Sequence, residues 1–171
     1  MSQPPVTVPA SVPVNVTALL DSAMGGSGVL WIDTGTRTYA VWFAWDDGST
    51  AGSDGPTAYV VNGPAEQHLP WLPAEVSLVL GNRATGGRAL RVRAARQVLD
   101  DADPEWVRAV AALRERRLNA PDATAEDTER RWRETCTITA LRPFGEPLET
   151  PDAPETGLAA TQVTSWRPTG G

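Results

Sequence analysis

The apolar positions fall into short runs and periodic stripes. VTALLDSAM, Val16–Met24, has helical spacing and ends at Gly25, Gly26 and Gly28. Val29–Asp33 predicts a short strand, with Thr34-Gly35-Thr36 as its turn. Thr38–Trp45 (TYAVWFAW) is the strongest strand signal. It is β-branched and aromatic with no polar face, so a central strand buried on both sides is expected. Asp46–Pro56 is a loop of turn residues, and Thr57–Asn62 a strand completing a hairpin. Gly63–Pro73 is irregular, since its three Pro forbid a long helix. Glu75–Leu80 is the next strand, Asn82–Gly87 a turn, and Arg88–Leu99 a longer strand in which Leu90, Val92 and Ala94 alternate with Arg91 and Arg93.

Asp103-Pro104-Glu105 then opens a helix: Asp caps, Pro suits the first turn, and Glu favours the positive end of the dipole. Trp106, Val110, Leu113 and the set 107, 111 and 118 form its apolar stripe, and Asn119-Ala120-Pro121 stops it. A second helix, about Ala125–Arg133, has Thr124 as cap, and Thr135–Leu141 is a last strand. Strands that follow one another through short turns pair mainly antiparallel, and too few helices intervene for a doubly wound sheet. The expected class is mainly β (α+β), a small barrel of antiparallel strands covered by a few helices. Residues 1–15, rich in Pro, read as an extended arm, 16–144 as the barrel domain, and 145–171 as a Pro/Gly/Thr-rich tail.

Composition narrows the chemistry. The 171 residues are 41% hydrophobic and 21% charged, with 15 Arg, no Lys, one His, one Cys and a formal charge of -6. Without Lys there is no Schiff-base nucleophile and no Walker-type phosphate loop. One His and one Cys exclude a disulfide framework, a Cys/His zinc site and a dithiol redox centre, and no metal site is expected. An acidic chain is a poor nucleic-acid binder. No basic start or long apolar run suggests a signal peptide or membrane helix, so the expectation is a cytoplasmic protein with no membrane partner.

Several residues have two readings. Asn62, Glu66, Gln67 and His68 follow a strand end and form either a ligand-facing loop, with His68 as proton carrier, or a plain surface connection. Arg88, Arg91 and Arg93 either hold an anion or line a solvated strand face. Arg114, Arg116 and Arg117 complement a helix dipole. Trp42, Phe43 and Trp45 are core or interface, or stack on a ring system. Cys136 is read as a core residue of the last strand. Gly25-Gly26-Ser27-Gly28 precedes a strand, so it is not a dinucleotide-binding loop.

TYAVWFAWDDG, followed by TAYVV, EVSLVL and LRVRAARQVL, resembles the FMN-binding split β-barrel superfamily. That group includes the pyridoxamine 5'-phosphate oxidase-like proteins and the actinobacterial flavin and deazaflavin oxidoreductases. The resemblance covers about Val16–Leu141, and Trp166-Arg167 is similar to the Trp-Arg ending of many members. It implies a split barrel, a homodimer, and FMN or deazaflavin bound at the subunit interface with a small-molecule substrate. Ring contacts would come from Trp42, Tyr59 or Trp166, and polar contacts from Asn62, Gln67, His68 and Arg167. The segment after Asn62 departs from the pattern. It carries no Arg or Lys, which members usually place there, and one Glu, Glu66, so either Arg83, Arg88 and Arg91 hold the phosphate or FMN binding has been lost. The implied activity is hydride transfer to a small conjugated acceptor. No catalytic acid is assigned; His68 and Tyr59 are the candidates. The alternative is a non-catalytic dimer that binds or sequesters a cofactor, haem or metabolite, or acts as a scaffold.

Overall fold

A computed structural model of the chain describes residues 14–81, 88–117 and 119–150. The expected turn at Asn82–Gly87, residues 1–13 of the expected arm and 151–171 of the expected tail lie outside the described residues. The elements are α1 (Val14–Gly26), β1 (Leu30–Asp33), β2 (Thr38–Val41), β3 (Ala44–Asp46), β4 (Thr57–Asn62), β5 (Glu75–Gly81), β6 (Arg88–Val98), α2 (Pro104–Arg116), α3 (Ala125–Thr135) and β7 (Thr137–Glu149). The strands form one antiparallel seven-stranded sheet, ordered β2-β1-β5-β6-β7-β4-β3, which curls into a half-barrel.

Two cores lie on opposite faces of this sheet. Inside the curl, Val16, Leu20 and Met24 of α1, one helical turn apart, pack on the inward residues of the strands. In β1 the alternation is plain: Leu30 and Ile32 enter this core while Trp31 points out. The second core lies under α2 and α3 and gathers Trp106, Ala109, Val110, Leu113 and Trp132. Ala109 completes the buried face of α2, so Val107 and Ala111 of the expected stripe are exposed. Asp103 caps α2 by accepting from the Glu105 N–H at 2.8 Å, and Thr124 caps α3 by accepting from the Asp127 N–H at 3.1 Å.

The run Thr38–Trp45 is not one central strand. It breaks at Trp42-Phe43 into β2 and β3, which form the two outer edges of the sheet. Its continuous apolarity comes from turning a corner: Phe43 enters the inner core and Ala44 the outer one. A strand that is buried on both faces is β4, with Ala58 and Val60 inside and Tyr59 and Val61 under the helices. The last strand is also longer than expected, because its pairing with β6 continues through Arg93↔Phe144 to Arg91↔Glu149. Cys136 is not on that strand. It caps the end of α3, half-buried, and its Sγ lies where a Cβ on Gly63 would come within 2.8 Å. With its φ of 150°, position 63 therefore accepts only glycine.

Candidate functional site

β2 and β3 are consecutive in the chain yet lie at opposite sheet edges. The three peptide steps from Val41 to Ala44 span at most about 11 Å, so the edges meet at Trp42. A backbone crossing such a seam lacks ladder partners, and Gln67 supplies them. Its Oε1 accepts from the Trp42 N–H at 2.9 Å, and its Nε2 donates to the carbonyls of Trp42 (2.9 Å) and Val61 (3.0 Å). The loop that delivers Gln67 is tightly turned, with Ala65 at a φ of 62°. Asn62 fixes its far end by donating to the Leu69 carbonyl at 3.1 Å and accepting from the Leu69 N–H at 3.0 Å.

Glu66, beside Gln67, has a side chain with 0% exposure. Its Oε1 accepts from Arg131 at 2.9 Å and from the Trp132 indole N–H at 2.8 Å, while its Oε2 ion-pairs with Arg117 at 3.2 Å. Arg131 also reaches Asp122 at 2.8 Å. Hydrogen bonds to Arg131 hold the Asp122 carboxyl below its ordinary pKa. Arg117 further donates to the Ala65 carbonyl at 3.0 Å and lies over the Trp42 ring, 5.7 Å from its centroid. Glu66 and Gln67 thus fix both Arg117 and Trp42.

These two residues form part of the wall of an open groove of about 670 Å³. Its floor is the end of α1 and the following turn, Gly25, Gly26, Ser27 and Gly28; Phe43, Glu115, Arg116 and Asn119 complete it. Arg116 crosses to donate to the Ser27 carbonyl at 2.8 Å. A Cβ built on Gly25, Gly26 or Gly28 meets no atom of the described residues within 4 Å, and none of the three has a positive φ. Neither packing nor backbone conformation therefore requires glycine there; side chains would simply occupy the groove. Among the described lining residues only Glu115, Arg116 and Arg117 are ionisable.

The other expected site residues are dispersed. Tyr59 lies in the outer core and donates to Glu105 Oε1 at 3.0 Å; burial, then the Glu105 charge, raises its pKa strongly. Arg142 pairs with the other Glu105 oxygen. His68 is exposed. Arg91 sits on the outer face of the sheet and binds Asp33 at 2.7 Å. Of Arg88 only the backbone is described, paired with Gly81, and Arg83, Trp166 and Arg167 lie outside the described residues. Sequence reading missed Arg116, Arg117 and the glycine floor as groove residues. The glycines had a signal, three within four positions at a helix end, but Arg117 had none because its acid lies 51 positions earlier. The Cys136 thiol has a raised pKa through burial. Among the described residues, no group of three or more His, Cys, Asp or Glu is placed to hold a metal ion, and no helix is long and apolar enough to cross a membrane.

A curled antiparallel sheet whose consecutive strands β2 and β3 form its two open edges, plugged by a helix and backed by two more, decides the architecture. The fold is a split β-barrel. No family model and no curated protein matches the chain. Among solved structures, the split barrel is similar to HutZ, the haem storage protein from Vibrio cholerae, at 12% identity and a TM-score of 0.49, covering 75% of this chain and 89% of that one. It is similar to a candidate pyridoxamine 5'-phosphate oxidase from Listeria innocua at 12% identity and a TM-score of 0.45, covering 78% and 98%. An F420 reductase follows at 15% identity and a TM-score of 0.39, covering 73% and 93%. These likenesses are distant, and the assignment of the fold rests on the sheet itself.

Proposed function

We propose that this split barrel is a cytoplasmic, dimeric oxidoreductase that binds FMN or a deazaflavin in the groove at its seam and acts on a small conjugated acceptor. The observation that carries the reading is the glycine floor opposite Trp42: three glycines with no role in packing leave open a slot beside an indole ring. A flat ring system fits such a slot, because an aromatic wall and exposed backbone give it area and hydrogen bonds. Bound there, the cofactor would supply the hydride chemistry. The protein's part is to hold the ring against Trp42 and exclude water from one of its faces.

Binding without catalysis is the second reading. It is favoured by the groove's ionisable set, which among the described residues contains no imidazole, thiol or phenol to move a proton. The separating experiment titrates FMN, FAD, oxidised and reduced deazaflavin, and haem by tryptophan quenching, then assays any that bind for turnover with quinone, enone and nitroaromatic acceptors. Saturable binding that Trp42→Ala weakens by about tenfold supports the site. Turnover supports the enzyme, and binding without turnover the sequestering protein. No binding of any of them overturns both. Arg88→Ala and Arg91→Ala test the strand arginines as phosphate holders; unchanged affinity in both removes them from the site.

A further inference from the structure

The Arg117 charge in the groove's wall is compensated from behind. Arg117 faces the Glu66 carboxylate at 3.2 Å. Arg131 is shared between Glu66 at 2.9 Å and Asp122 at 2.8 Å. Arg116, on the rim, is exposed and donates to the Ser27 carbonyl at 2.8 Å. Two arginines, Arg117 and Arg131, thus meet two carboxylates, Glu66 and Asp122, whose side chains are little exposed, at 0% and 14%. Because Glu66 is removed from solvent, water and salt screen its effect on Arg117 far less than they would at the surface. A guanidinium already paired with a buried carboxylate offers an incoming phosphate little net attraction.

We infer that Glu66 is the specificity-determining residue of the groove: by neutralising Arg117 it makes the site read a planar ring system and not the phosphate attached to it. The inference rests on the proposed cofactor reading and sharpens its ligand class to uncharged, flat heteroaromatic rings, with any phosphate left in solvent. Glu66 touches no ligand in this scheme. It acts through Arg117, whose guanidinium it holds over Trp42.

The test compares riboflavin with FMN, which differ by the phosphate alone, by tryptophan quenching on the whole chain. The wild-type protein binds the two within about threefold of each other, and its FMN affinity changes little between low and high salt. Glu66→Gln keeps the shape and can still accept the Trp132 and Arg131 hydrogen bonds, but it releases the Arg117 charge. FMN gains about tenfold relative to riboflavin, whatever the change in riboflavin affinity itself, and that selective gain is lost in high salt. If Glu66 were only structural, the variant would weaken both ligands alike. A wild-type preference for FMN of tenfold or more overturns the inference while leaving the cofactor reading intact, and this arm needs no variant to fold. Failure of both ligands to bind the wild-type protein overturns the cofactor reading and the inference with it.

Discussion

Single residues here are held by partners far away in the chain. Glu66 is the clearest instance: a carboxylate in a loop of Gly and Pro reads as a solvated charge, yet its oxygens meet Arg117, Arg131 and Trp132, 51 to 66 positions later. Removing one member of a buried pair strands its partners without their counter-charge. Glu66→Ala is therefore expected to cost about 3–5 kcal/mol in urea unfolding, well above the ordinary effect of a loop substitution. Tyr59 gives a second prediction. Burial and the nearby Glu105 carboxylate raise its pKa, so the fold keeps the phenol protonated while the unfolded chain ionises it near pH 10. Above that pH the unfolded state binds fewer protons than the native state, and stability falls as pH rises towards the native pKa. Stability measured against pH in the alkaline range should show this slope, and Tyr59→Phe should remove Tyr59's share of it. Neither Glu66 nor Tyr59 could be assigned its role from sequence, because the relevant charge lies on another element.

At the scale of elements, local chemistry was largely legible. The caps Asp103 and Thr124 stand where their side chains predict, and α1, β1, β4, β5 and α2 begin within two residues of the expected positions. The failure at Thr38–Trp45 is instructive, since hydrophobicity reports burial and not which strand provides it. A strand turning from one core to the other is as apolar as one sandwiched between two layers. Gln67 makes that turn possible by bonding to the backbone of Trp42. Gln67→Leu should leave a backbone donor and acceptor of Trp42 unsatisfied, costing about 2–4 kcal/mol, and hydrogen exchange should show faster opening at the Trp42 amide. The end of α1 carries the opposite expectation. Gly26 is helical and faces open space, so Gly26→Ala should stabilise the fold by about 0.4–1 kcal/mol while reducing cofactor affinity. A gain in thermal midpoint with unchanged binding would show that the glycine floor is not part of the site.

For the whole molecule, the outer face of the sheet bears on the proposed dimer. Trp31 is 45% exposed on β1, beside exposed Ala40 and in register with Val79. A large apolar ring left outside a sheet suits a subunit interface. Trp31→Glu should therefore shift sedimentation from dimer towards monomer without loss of helix or strand content; an unchanged mass would place the interface elsewhere or remove it. By itself the sequence determined the element types, the caps, the antiparallel connectivity and the chemistry unavailable without Lys or a second Cys or His. Those properties follow from neighbours a few positions apart and from composition. Tertiary structure alone decided that one apolar run would form both edges of the barrel, that Glu66 would be buried between two arginines, and that Trp42, Arg116, Arg117 and three glycines would line one groove. Each depends on which distant segments are brought together as the sheet curls, and no local pattern of residues encodes that distance.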